Sequence, residues 1–413
     1  MGFLKALRRP AIALLWSSQV LSAIGDYLYS LAVVWIAVKT VGSGAGLVAA
    51  AQASSQLVFG LLGGVYADRW NRRLVMVTVD VLRAVTVALM AILALTGLLQ
   101  FWYLVIAAIV IGALGSLFDP ALQASLPALS GDVKTLQAVN GLMDVTARLA
   151  RALGPSMAGL LVLFMPLPQF FTLNALSFVI SAIAILSLGR HFIQEEVPVH
   201  SSSAGIRGIW QDIRGAIQLV GQHQPLAWSI TLNGVMNLAW SASFLIGAPL
   251  LVERVLKSDV GALGLIIGAY GVGNVLSNLI MGSIPLRQGV SLVFYGKIVV
   301  GLGFLLLAFS HSLPMAILGS AFAALGGPMG DITMLTMMQT ELPAGQLGKV
   351  YSLRMVLANV GSSLGLLLAA PLFAHFSVLV GISSCALLMI ICGTIGLLRF
   401  GLNHGAAVTS EQR

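Results

Sequence analysis

Charge is the scarcest thing in this sequence. Only 9% of its 413 residues are Asp, Glu, Lys or Arg, whereas a soluble domain carries about 25%. So little charge cannot cover a water-facing surface, which excludes an ordinary soluble globular protein and a disordered chain. Cysteine is nearly absent too. Cys385 and Cys392 lie seven apart on one helical face, so they are read as packing residues and not as a disulfide. No H-E-x-x-H pair occurs, and none of the six histidines falls deep inside an apolar run. No metal site and no cofactor is expected, and an intramembrane enzyme is the weakest reading. The phosphate-cradling G-x-x-x-x-G-K-[ST] loop is also missing, because Lys297 and Lys349 follow glycine but precede Ile and Val. Any work the protein does against a gradient must draw on another gradient.

What the chain has instead is apolar length. Hydrophobic residues fill 58% of it. Runs long enough for a spanning helix, roughly 18 residues or more, recur at 13–38, 45–66, 74–96, 101–123, 136–164, 170–189, 225–251, 261–283, 290–310, 314–340, 350–374 and 376–399. The expectation is an all-α membrane protein with twelve transmembrane helices. The first run follows Lys5, Arg8 and Arg9 and outlasts a signal-peptide core, so it is read as a retained helix.

The net charge of +8 follows topology and does not point to nucleic acid. The stretch Gly64-Val65-Tyr66-Ala67-Asp68-Arg69-Trp70-Asn71-Arg72-Arg73 packs four charges between two apolar runs. It must lie in water or among headgroups, and the positive-inside rule makes that face cytoplasmic. Of the 22 basic residues, 14 fall on that side, and only Lys39, Arg254 and Lys257 fall opposite. Both termini are then cytoplasmic.

Polar residues inside the runs mark candidate sites, because each is costly in lipid unless paired or hydrated. The first span carries Gln19, Ser22, Asp26 and Tyr29 on one helical face, with Asp26 about 20 Å in. The third opens with Asp80 and Arg83, spaced to pair with one another or to reach the headgroups. The fourth is expected to end through Phe118-Asp119-Pro120. The fifth lines up Asn140, Asp144, Arg148 and Arg151. Asp144 can neutralise Arg148 at i+4, which leaves Arg151 about 22 Å deep with Asp26 as the acid at matching depth. Gly154-Pro155 and Gly159 would bend that helix just beyond. In the later spans Asn233, Asn237 and Trp240 share a face, as do Tyr270, Asn274 and Asn278, while Asp331 stands near Met334, Met337 and Met338. These are candidates for a polar and polarisable substrate wall, with Asp331 second to Asp26 as proton carrier.

The halves read as diverged copies. Leu126-Pro127 after the fourth span is echoed by Leu342-Pro343 after the tenth, and Gly282-Ser283-Ile284-Pro285-Leu286-Arg287 stands where a second charged loop belongs. The division is 1–189, a six-helix bundle; 190–224, a cytoplasmic linker; and 225–413, a second bundle. Ile206, Ile209, Trp210, Ile213, Ile217 and Val220 are spaced for a short interfacial helix in the linker. Parallel halves with a site at mid-depth are a transporter design.

The loop Asp68-Arg69-Trp70-Asn71-Arg72-Arg73, preceded by Gly64, resembles the signature between the second and third helices of the major facilitator superfamily. With Gly25-Asp26 and Asp80-Val81-Leu82-Arg83 it looks like that superfamily's macrolide-efflux and enterobactin-exporter branch. The resemblance implies two pseudo-symmetric six-helix bundles in a bacterial cytoplasmic membrane. It implies that Asp68 caps the eleventh helix in a cytoplasm-closed state, and that Arg69, Arg72 and Arg73 bridge to Asp119, so that this loop acts as a latch. Gly154-Pro155-Ser156-Met157-Ala158-Gly159 is one glycine short of the antiporter pattern G-P-x-x-G-G. The function expected is proton-coupled export of amphipathic small molecules by alternating access. Asp26, Arg151 and Asp331 would couple protons. Gln19, Ser22, Tyr29, Arg148, Asn233, Asn237, Trp240, Asn274, Met334 and Met338 would meet substrate. The expected partners are a small-molecule substrate, protons and the bilayer, with no nucleic acid, for a monomer. The alternative is a lipid or lysophospholipid flippase on the same fold.

Overall fold

In lipid every backbone N–H and C=O must find its bond within the protein, which leaves helices as the way for such apolar runs to span. The computed structural model describes residues 7–66, 71–130, 164–188, 214–283 except 216, 290–342 and 347–401, with scattered positions between 135 and 162. Among the described residues there is no strand. We number the helices α1 (Pro10–Val41), α2 (Ala45–Tyr66), α3 (Arg72–Leu95), α4 (Phe101–Ser130), α5 (Leu167–Ser187), α6 (Gln224–Trp240), α7 (Val260–Ser283), α8 (Ser291–Ala308), α9 (Leu313–Glu341), α10 (Leu347–His375) and α11 (Val378–Gly396). The described residues between 135 and 161 are also helical. Ten stretches among the described residues are long and apolar enough to cross a membrane, the first of which, Pro10–Gln56, takes in parts of two expected spans.

Two elements depart from the expected boundaries. α4 does not stop near Pro120 but runs on to Ser130, with Pro120 and Pro127 both inside it. A proline lacks one donor and crowds the preceding turn, which in water would end a helix. Within a membrane protein, neighbouring helices and polar side chains can satisfy the freed groups, here the carbonyls of Ser116 and Gln123 four residues before each proline. After α6 the chain widens into π-turns at Ser241–Gly247 and Leu251–Val255. Pro249 falls between them, and the wider turn separates its ring from the carbonyl it would strike in a tight α-helix.

The chain divides into two compact units, Met1–Val41 with Val48–Ser202, and Gly42–Leu47 with Ser203–Arg413. In the first unit Ile12, Leu15, Met76, Val79, Phe118 and Ile185 form the buried core. In the second, Leu226, Ile230, Phe294, Met334, Met338 and Val350 do so. Val220, from the stretch expected to lie on the membrane surface, is buried in that second core.

Glycine sets how closely some helices meet. A Cβ on Gly361 of α10 would collide with the Gly234 carbonyl of α6, and one on Gly365 with the Leu238 carbonyl. Small residues at such seams let backbones touch where lipid offers no hydrophobic drive to association.

Candidate functional site

In the first unit the polar face of α1 meets α5. Asp26 is accessible along its helix, and its Oδ1 accepts a bond from Asn174 Nδ2 at 3.5 Å. Gly25 makes room, since a Cβ there would collide with the Asn174 side chain. Asn174 also accepts from Ser177 Oγ at 3.2 Å. One turn on, Gln19 Nε2 donates to Ser181 Oγ at 3.0 Å, and Ser181 lies beside the Asp80 carboxylate.

Asp80 is only 1% exposed. Its Oδ1 stands 4.0 Å from Arg83 Nη1, and its Oδ2 has no hydrogen-bond partner among the described residues. The Arg83 guanidinium lies 5.2 Å from the centre of the Phe118 ring and 5.3 Å from that of Phe178, a cation–π setting with each ring. Arg83 also acts on Asp26 and on Asp119. One described guanidinium thus serves three carboxylates drawn from three helices.

The second unit has the opposite balance. Lys297 of α8 is 2% exposed, and its Nζ reaches Asn233 Oδ1 at 3.5 Å and Met236 Sδ at 3.9 Å. Arg354 Nη2 pairs with Asp331 Oδ1 at 2.6 Å, on an Asp331 side chain that is 59% exposed. An aromatic group stands nearby in sequence on α6 and α7. Trp240 Nε1 donates to Tyr270 Oη at 2.9 Å, and the Phe244 ring lies 4.4 Å from that of Tyr270.

The residues singled out in the sequence fall into three groups. Gln19, Ser22 and Asp26 lie together on the α1–α5 seam, with Ser22 Oγ donating to the Ser177 carbonyl at 3.5 Å. Asn233, Trp240 and Asn274 carry polar contacts in the second unit, although Asn237 spends its amide on the Asn233 carbonyl of its own helix at 2.8 Å. Tyr29, Met334 and Met338, expected on the substrate wall, are packed among apolar neighbours here. Tyr29 is buried edge-on against Phe171, 5.8 Å between ring centres, and both methionines are wholly inside the second core. Helical periodicity ties a polar stripe together but does not tell which end of it turns into the packing.

Asp119 also sits differently from the expectation. It lies eleven residues before the end of α4, about 16 Å along the axis, and among the described residues Arg83 acts on it. Arg73 at the start of α3 donates instead to the Ile185 and Leu186 carbonyls of α5, and Arg72 has contacts of its own. Gly64 lies in the last turn of α2. Gly154 is buried with the Tyr27 ring where a Cβ would stand, and Gly159 is buried as well. Asp68, Arg69, Arg148, Arg151 and Pro155 lie outside the described residues.

Sequence reasoning passed over the best-placed partners. Asn174, Ser177 and Ser181 recur at helical spacing in α5 and could have been read as the face opposing α1. Lys297 and Arg354 are basic residues within apolar runs, a costly placement that signals function by itself. A G-x-S-x-G pattern does occur, as Gly361-Ser362-Ser363-Leu364-Gly365, but it lies within continuous α10. A nucleophile elbow needs a strand-to-helix turn. Here the glycines close the seam with α6, and the Ser362 carbonyl accepts from Ser241 Oγ at 2.9 Å.

Comparison with known proteins agrees with this architecture. The sequence matches the transmembrane secretion effector family over residues 2–412. The chain belongs to that family. It is a multi-pass membrane transporter of the major facilitator superfamily, not an enzyme. The multidrug efflux pump Tap of Mycolicibacterium fortuitum is 25% identical over 386 residues, covering 88% of this chain and 89% of Tap. The enterobactin exporter EntS of Escherichia coli O1:K1 is 26% identical over 349 residues, covering 82% and 79% of the two chains. These are the kinds of relative that the Asp26, Asp68 and Asp80 motifs implied. The crystal structure of the peptide-transporter-family protein PepTSo superposes with a TM-score of 0.71 over 94% of this chain and 97% of that one, at 13% identity. That likeness carries the fold alone.

Proposed function

We propose that this transporter is a proton-coupled exporter of amphipathic small molecules, alternating access between two helical halves. The observation that carries the reading is the cluster of Asp26, Asp80 and Asp119 around Arg83. Among the described residues the three acids share one guanidinium, and Asp80 is the one in ion-pair range of it. A carboxylate whose cation moves away in a low dielectric takes up a proton more readily than it holds the charge. Asp26, the member on α1, is the proton carrier in this reading, with Arg83 and the expected Arg151 as its counter-charges. Asp331, already paired with Arg354, is the second candidate.

Export and a broad amphipathic substrate range are supported by relatives described as an efflux pump and a siderophore exporter. The placement of the basic residues supports cytoplasmic termini in a bacterial inner membrane. The loop with Gly64, Asp68, Arg69, Arg72 and Arg73 serves as the latch, Asp68 gaining up to ~2 kcal/mol at a helix N-terminus when partly buried. The protein works as a monomer, with 190–224 linking its halves.

The test is transport of a labelled drug and siderophore panel by reconstituted protein, with and without an imposed pH gradient. Accumulation that appears only with the gradient is the expected result. Equal uptake in its absence contradicts the coupling.

A further inference from the structure

Lys297 is a buried cation with no carboxylate in bonding reach among the described residues. Its described contacts are a neutral amide oxygen at 3.5 Å and a thioether sulfur at 3.9 Å. Both exceed the 2.7–3.0 Å of a good charged hydrogen bond, as a general range. The acid that acts on it, Asp331, is bonded at 2.6 Å to Arg354. Among the described residues of the second unit, buried Lys297 and half-buried Arg354 therefore share one largely exposed carboxylate, which leaves Lys297 without a close counter-charge.

An uncompensated charge in the interior of a membrane protein is costly and is by default a functional position. Packing does not require it. Val293 and Phe294 of the same helix fill the core well, and a methionine would cover the lysine stem without the charge. The position also has adaptable walls. Asn233 is half-buried, Met236 is flexible, and Asp331 opens to the exterior of its helix.

We infer that Lys297, with Asn233 beside it and Arg354 in reserve behind Asp331, binds the acidic group of an amphipathic organic anion, a carboxylate in its simplest form. This names the substrate class within the export reading and rests on that reading for its physiological meaning. The carboxylate supplies the missing charge, taking Nζ as donor and displacing the long contact to Asn233. Its apolar tail needs no counter-charge. A second carboxylate oxygen, or a second acidic group, would compete with Asp331 for Arg354.

The purified full chain in maltoside detergent tests this with decanoate, decanol and decylamine, which share one tail and differ in charge. Affinities are read from the ligand-dependent rise in melting temperature. The wild type should bind decanoate about tenfold more tightly than decanol, equivalent to about 1.4 kcal/mol, and decylamine least. Lys297→Gln and Lys297→Met should bring the decanoate-to-decanol ratio to about one, while Lys297→Arg keeps most of it. Asp331→Asn, which frees Arg354, should raise the ratio. Lys297→Met without ligand should melt higher than the wild type, because a buried unpaired charge is gone. Equal binding of decanoate and decanol by the wild type, or an unchanged preference in Lys297→Gln, overturns the assignment. The readout is independent of transport. A Lys297-dependent preference for decanoate in a protein that exports none of the panel sustains this site and sinks the export reading alone.

Discussion

Among the described residues, the two units balance the charges on their helices in opposite senses. The first gathers Asp26, Asp80 and Asp119 around Arg83, while the second sets Lys297 and Arg354 against the single Asp331. Two units each held by an apolar core would not need to differ in this way to fold. The difference teaches a division of labour. A site with surplus acids is suited to taking and giving protons, and one with a surplus cation is suited to holding an anionic ligand. Individual seams differ too: Gly361 abuts the Gly234 carbonyl, whereas Gly25 abuts the Asn174 side chain and Gly154 the Tyr27 ring.

That contrast can be broken by substitution, and the largest effect belongs to the rigid seam. Gly361→Leu should yield no monodisperse protein on gel filtration, because a carbonyl cannot step aside for the new side chain. A well-behaved variant would contradict the close α6–α10 contact.

Next comes Arg83→Gln. Removing one member of a buried charged group costs about 3–5 kcal/mol, so the melting temperature should fall steeply. Arg83→Lys should recover only part of it, since an ammonium cannot stack its plane against Phe118 and Phe178. Full recovery with lysine would mean that the flat fork is irrelevant there.

Gly154→Ala should cost less, about 1–3 kcal/mol from overpacking, because the Tyr27 ring it strikes is a side chain. Tyr27→Ala in the same background should restore much of the loss. Absence of rescue would place the clash elsewhere. The smallest change is Trp240→Phe, which removes the donor to Tyr270 and should cost about 0.5–1.5 kcal/mol in a thermal melt. A neutral result would show that water replaces the indole.

Much of this was legible in the residues. Scarce charge and long apolar runs dictate the helices, and the Asp68 loop with Gly25-Asp26 and Asp80–Arg83 carried the family. The i, i+3 spacing of Asp80 and Arg83 offered their pairing beside a reach to the headgroups, and the two stand 4.0 Å apart. What spacing along one helix cannot reveal is the neighbour that faces it. Asn174 and Ser181 become partners of Asp26 and Gln19 only because Gly25 lets α5 approach. The fate of Tyr29 and the two methionines was hidden for the same reason, since a polar or soft residue on a stripe packs inward or outward according to the opposing helix. The continuation of α4 through Pro120 was illegible because the rule that proline ends a helix belongs to water.

The central claim is that the proton is handled by the acid cluster of the first unit and not by the paired acid of the second. The direct measurement is pH-gradient-driven accumulation of a transported panel compound in proteoliposomes, with Asp26→Asn and Asp331→Asn reconstituted side by side at matched protein density. Asp26→Asn should still bind the compound but lose all gradient-driven accumulation, and Asp331→Asn should keep a gradient dependence. A folded Asp26→Asn protein that still concentrates the compound under the pH gradient would contradict the account.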